Sequence, residues 1–224
     1  PDYPNGFCLL ANIAVAIEHS IKNKLGKKFC VIDWDVHHGN GTEAIFYNRN
    51  DVLTISIHQE RNYPVDTGME THQGKQEGLG YNVNLPLPAG SGHQAYLNLF
   101  DRVIDPIVSN YSPDIIIVAC GFDAAMIDPL SSMLCSAETF RLLTRKAQKL
   151  ADEQCNGKLA LVHEGGYSEV YVPFCGHAVL EELSGSQIIA KDPYEELFNL
   201  RQPGSRFENM INEVLNDWEE LFLK

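Results

Sequence analysis

The sequence predicts an α/β fold built on a mainly parallel sheet. Four short runs, residues 29–32, 52–57, 115–119 and 159–162, are almost continuously apolar, as strands covered on both faces must be. Between them lie segments that repeat apolar residues at helical spacing, and strands alternating with helices indicate a parallel α/β arrangement. The chemistry-bearing residues fall directly after the apolar runs, where parallel sheets bind their ligands.

In chain order, Ile13, Ile17, Ile21 and Leu25 recur every four residues and predict a helix over residues 8–25, packed on one face and ended by Gly26. The first strand follows at 29–32 and the second at 52–57. Residues 59–80 predict a long loop containing Gly68, Gly74, Gly78 and Gly80, and loops of that length are often functional. Tyr96, Phe100, Ile104 and Val108 predict the next helix, ahead of the strand at 115–119. Phe140, Leu143 and Ala147 predict another, capped by Ser136. The strand at 159–162 follows. Phe207, Ile211, Leu215, Trp218 and Phe222 predict a final amphipathic helix. No repeat or composition break divides the chain, so residues 1–224 read as one domain.

The 224 residues carry a net charge of −13 with no basic cluster, which argues against a nucleic-acid surface; an acidic face could attract cationic substrates such as lysine side chains or polyamines, the alternative being the ordinary acidity of a soluble protein. The six cysteines include no CxxC pair and read as reduced thiols of a cytoplasmic protein, a nuclear location remaining open for a eukaryotic source. No apolar run reaches the ~18 residues of a membrane span. The chain opens without Met or a signal pattern, so residues ahead of Pro1 are expected.

Asp33, Asp35 and His37 alternate, which on an extended strand puts them on one face. Facing carboxylates repel unless a cation offsets them, so a metal site is expected; the alternative is a hydrogen-bonded cluster at a strand end. Asp123, after another strand, is a further ligand or else a turn residue. Two carboxylates and an imidazole leave a coordination position open, as catalytic zinc requires. Such a metal suits hydrolysis of an unreactive amide. Tyr167, behind Gly165 and Gly166, is placed to donate to an oxyanion, though a core tyrosine after a turn has the same pattern. His38 must point away from the neighbouring ligand. No dinucleotide-binding glycine motif, P-loop or nucleophile elbow occurs.

The stretch Asp33-Trp34-Asp35-Val36-His37-His38-Gly39-Asn40-Gly41-Thr42, followed by Gly121-Phe122-Asp123 and Glu164-Gly165-Gly166-Tyr167, resembles the histone deacetylase family over residues 1–184, as do Gly6-Phe7-Cys8, Tyr63-Pro64 and Thr67-Gly68. Asn40 and Glu164-Gly165-Gly166-Tyr167 look more like the class II and bacterial amidohydrolase branch. The resemblance implies a three-layer α/β/α fold of the arginase and deacetylase type. It implies zinc on Asp35, His37 and Asp123, and an oxyanion donor in Tyr167. Asp33 and Asn40 are assigned as further catalytic residues. It also implies potassium at two sites, one at Asp33, Asp35, His37, Ser56 and Ile57, the other at Phe46, Arg49, Val52 and Tyr81. Phe7, Tyr63, Gly165 and Gly166 are the expected substrate contacts, with Tyr63 standing where the family usually has Phe.

The family also carries a His-His pair shortly before Gly-Phe-Cys that activates water. Only Pro1 to Asn5 precede Gly6, so the chain is expected to lack its domain's N-terminal part, with the sheet beginning at a stripped edge on Phe29. The expected activity is hydrolysis of an acyl amide on acetylated lysine or acetylated polyamines, with oligomerisation left open. Two alternatives are a catalytically inactive acyl-lysine-binding scaffold and a two-manganese ureohydrolase, the latter requiring further bridging carboxylates.

Overall fold

The computed structural model describes residues 4–224. Five parallel strands run in the order β3-β2-β1-β4-β5: β1 Phe29–Asp33, β2 Val52–Gln59, β3 Asn82–Leu87, β4 Ile115–Cys120 and β5 Leu159–His163. The expected edge at Phe29 is not found. β1 is the middle strand, and β3 and β5 are the edges. Apolar runs identify strands but not their order, which depends on the crossovers between them.

Alternation along the central strands assigns the helices to two faces. Phe29, Val31, Ile117 and Ala119 point to one side, where they pack with Ile13, Ala14 and Ile17 of α1 (Asn12–Lys22) and Phe46 of α2 (Asn40–Phe46). Cys30, Ile32, Ile116 and Val118 point to the other side. There α3 (His93–Leu99), α4 (Asp105–Tyr111), α5 (Ala137–Cys155), α6 (Val172–Ser184), α7 (Glu195–Leu200) and α8 (Ser205–Phe222) contribute to the larger core. The result is a three-layer α/β/α fold. Burying a side chain such as Ile32 or Leu53 contributes about 1.5–3 kcal/mol relative to leaving it in water.

The predicted helix over 8–25 is shorter than its apolar spacing suggested. It ends at Lys22, so Leu25 lies beyond it and is exposed. The helical stretch from His93 to Tyr111 widens into π-helical geometry at Phe100–Ile104, just ahead of Pro106. Proline has no N–H for the turn before it and crowds the carbonyl four residues back, which accounts for the widening. α5 begins with a full capping box, Ser136 accepting from the Thr139 amide and Thr139 from the Ser136 amide.

All five carboxyl ends lie on the same sheet margin. Asp33 is in register with Ser56 and Ala119, and Cys120 with His163. The loops that follow β1, β4 and β5 therefore converge.

Candidate metal centre

β1 ends at Asp33, and the chain then bends. Asp33 Oδ1 accepts the Asp35 amide at 3.0 Å, and Asp35 Oδ1 accepts the His37 amide at 2.8 Å. These successive side-chain turns bring Asp35 and His37 together, so the expected strand alternation past Asp33 is replaced by a coiled loop. Asp123 enters from the loop after β4, and its Oδ1 accepts the Val36 amide at 2.8 Å. The loop after β5 closes the third side, with the Gly165 amide donating to Asp35 Oδ2 at 2.7 Å. A side chain at Gly165 would strike both Asp35 and Asp123, and one at Gly121 would strike Asp35, so both positions require glycine for close approach.

One ligand atom each from Asp35, His37 and Asp123 lies within 4.8 Å of the others. His37 Nδ1 stands 3.0 Å from both Asp35 Oδ1 and Asp123 Oδ2. A ring nitrogen holds at most one proton, so it cannot serve both oxygens. Asp123 is fully buried, and its Oδ2 has no hydrogen-bond partner among the described residues despite that proximity. An unpaired buried carboxylate oxygen is costly.

The electrostatics point the same way. Burial, helped by the charge of Asp35, raises the pKa of Asp123 to about 6 against the pull of His37. Burial and Asp35 push Asp33 well above the usual carboxylate range. Burial alone would lower His37, but the Asp123 and Asp35 carboxylates beside its Nδ1 outweigh it and raise it to about 10. The cluster is short of positive charge, and its two oxygen donors and one nitrogen suit a divalent ion of the zinc type.

Two aromatic rings stand beside His37, and a third stands beside one of them. Tyr167 lies 6.2 Å from it edge-on, Tyr63 lies 6.3 Å away, and Phe7 stands 6.1 Å from Tyr167. Phe7 is 88% exposed and Tyr63 48%, so their faces are free, while the Tyr63 hydroxyl donates to Asn5 Oδ1. Burial, then the charges of Asp123 and Asp35, raise the Tyr167 phenol to about 12 and keep it protonated.

His38 points away from the cluster, as expected. Its Nδ1 is 2.9 Å from Thr67 Oγ1 and its Nε2 3.3 Å from Glu43 Oε2. Asn82 and Asn84 each donate to the same Glu43 oxygen at 2.7 Å. Burial opposes ionisation of Glu43, but the bonds from His38 and the two asparagines lower its pKa to about 2. Sequence reasoning missed Glu43, Asn82 and Asn84; the alternation of the asparagines with Val83 and Leu85 was the available signal.

Asp33 and Ser56 are cross-strand partners, and the Gly39 amide donates to Ser56 Oγ at 3.2 Å, with Ile57 buried alongside. Phe46, Arg49 and Val52 lie along the α2–β2 connection. Tyr81 is brought close by its carbonyl, which accepts the Thr54 amide at 3.0 Å. The Arg49 guanidinium is committed to Asp51 and Glu18. Asn40 opens α2 three residues after His37.

His58 supplies a test of this buried network. Its rings atoms are used by the Ser56 hydroxyl at 3.0 Å and the Gly68 carbonyl at 2.9 Å, and burial, then His38, push its pKa down to about 3. An unfolded histidine titrates near 6.5. The folded state therefore binds fewer protons, and stability from neutral His58 is complete above ~6.5 and lost as pH falls toward 3. His58→Asn is expected to flatten the decline of Tm between pH 6.5 and 5; an unchanged slope would contradict it.

The Histone deacetylase domain family matches residues 1–183. The chain belongs to the histone deacetylase family. Among its relatives is the histone deacetylase-like amidohydrolase of Pseudomonas aeruginosa, 44% identical over 97% of this chain and 57% of the relative. Histone deacetylase 14, chloroplastic, of Arabidopsis thaliana is 37% identical over 93% of this chain and 46% of its own length. The chain thus spans about half the length of these curated relatives. The crystal structure of the HDA15 HD domain superposes with a TM-score of 0.78 at 33% identity, covering 98% of this chain and 57% of that one. The structure of the histone deacetylase Clr3 gives 0.75 at 28% identity over 96% and 36%. The three-layer sheet is therefore the deacetylase fold of the arginase type.

Proposed function

We propose that this chain carries the metal-binding half of a zinc-dependent acyl-amide hydrolase acting on acetylated lysine side chains or acetylated polyamines. The observation that carries the reading is the junction of Asp35, His37 and Asp123, with the buried Asp123 Oδ2 left unpartnered. Those three residues would hold zinc, which when bound polarises the acyl carbonyl and acidifies water. Iron(II) would suit the same donors.

The chain's own groups then divide the work. Phe7 and Tyr63 flank the extended acyl-lysine stem, their exposed rings supplying apolar contact. The Tyr63 hydroxyl gives that wall a polar tip. Tyr167 donates a hydrogen bond to the carbonyl oxygen as negative charge develops there, which its raised pKa allows. Asp33 and Asn40 are assigned to supporting the catalytic histidines, and the pair that takes the water's proton is the one the resemblance places ahead of Gly6. Potassium is assigned to Asp33, Asp35, His37, Ser56 and Ile57, and to Phe46, Arg49, Val52 and Tyr81, where Arg49's side-chain commitment leaves coordination to main-chain carbonyls. The net charge of −13 favours a cationic substrate backbone or polyamine.

The test uses the full encoded protein. It is expected to release acetate from a fluorogenic acetyl-lysine peptide or from an acetylated polyamine, to lose that activity on chelation and to regain it with zinc. A fully metal-loaded protein inert toward both substrate classes would overturn the reading.

A further inference from the structure

Asp128 is a buried acid that the proposed chemistry does not use. It lies five residues after Asp123, at the start of Asp128-Pro129-Leu130. Both carboxylate oxygens are taken up by main-chain donors: Oδ1 accepts the Leu130 amide at 2.9 Å and Oδ2 the Tyr167 amide at 2.7 Å. One side chain therefore joins the loop after β4 to the loop after β5.

The bonding continues in both directions. The Leu130 carbonyl accepts from Asn62 Nδ2 at 3.2 Å, and Asn62 Oδ1 accepts the Tyr63 amide at 2.8 Å. On the other side Gly165 is tied to Asp35, and the Gly165 carbonyl accepts the Phe122 amide at 2.7 Å. Between these anchors Gly166 has φ of 140°, a conformation that other residues resist, so this short turn needs its flanks held. Asp128 supplies the anchor at Tyr167.

We infer that Asp128 is a positioning residue that fixes the Tyr167 phenol against the metal cluster and, through Leu130 and Asn62, links it to the Tyr63 wall. The inference rests on the reading of the site as an acyl-amide hydrolase. Charge-assisted bonds to two amides are strong and directional. An asparagine in the same place has one acceptor oxygen and turns an N–H₂ toward the second amide, so one of the two anchors fails. Small misplacement of a catalytic group can cost about 10²-fold in rate.

Four forms of the full, zinc-loaded protein test this: wild type, Asp128→Asn, Tyr167→Phe and the double variant, assayed on an acetyl-lysine peptide. Asp128→Asn is expected to lower kcat by about 10-fold or more with KM changed less than about threefold and zinc content unchanged. In the Tyr167→Phe background the same substitution is expected to cost less than about twofold, because it acts through the phenol. An equal cost in both backgrounds, or no cost in either, would overturn the inference. Should Asp128→Asn not fold, amide exchange on wild type decides: protected Tyr167 and Leu130 amides support the anchor, and rapid exchange at Tyr167 sinks it. A wild type without turnover removes the reading of the site and this inference together, whereas an active wild type indifferent to Asp128 removes the inference alone.

Discussion

Alanine in place of His37 is expected to empty the metal centre and abolish hydrolysis, while alanine at His38 leaves the metal bound. The two residues are adjacent, but the structure sends them in opposite directions. His37 Nδ1 faces Asp35 and Asp123 at 3.0 Å each. His38 is held by Thr67 and Glu43 in a separate buried network. Loss of an outer partner of a ligand costs about 10–100-fold in metal affinity, and loss of a ligand itself from a three-residue set costs more. With His37 gone, Asp35 and the buried Asp123 also repel each other without an imidazole between them. Zinc measured by mass spectrometry after dialysis against a weak chelator separates the variants. Equal retention by both would contradict the ligand assignment. His38→Ala is instead expected to lower thermal stability, since Glu43 would lose one of its three buried donors.

Phenylalanine at Tyr167 is expected to leave zinc content unchanged and to lower kcat by about 10²–10³, the usual cost of one oxyanion donor. Tyr167 is not one of the three proposed ligands Asp35, His37 and Asp123, and its ring packing beside Phe7 and His37 survives the change. Substrate affinity should change little, because the hydroxyl's contribution grows only as charge develops on the carbonyl oxygen. The phenol, raised to about 12, stays a donor through the neutral range, so the wild-type rate should show no loss from its ionisation below pH 10. A variant as fast as wild type would make the tyrosine structural.

The metal residues were legible because each follows an apolar run, and parallel strands bring such positions to one margin. Even so, Asp35 and His37 meet through turns closed by carboxylate–amide bonds, not through strand alternation. β3 escaped notice because Pro86 interrupts it. An edge strand tolerates proline, and the buried row Val83, Leu85, Leu87 was the signal of period two. α6 and α7 carry weak helical periodicity beside Gly176 and the polar residues around 185–194. The strand order was not legible, since local pattern says nothing of which strand neighbours which. Glu43 and Asp128 look like ordinary acids in the sequence. Their partners, Asn82 and Asn84 for one and Tyr167 for the other, lie some forty residues away along the chain and are joined only by the fold.

The reading depends on a single divalent ion at Asp35, His37 and Asp123. Crystals of the full encoded protein grown with zinc, measured on both sides of the zinc absorption edge, test that directly. One anomalous peak per chain, in contact with all three residues and beside Asp123 Oδ2, is the predicted result. Two neighbouring peaks bridged by carboxylates, as a two-metal ureohydrolase requires, or a zinc-saturated crystal with no peak among these residues, would contradict it.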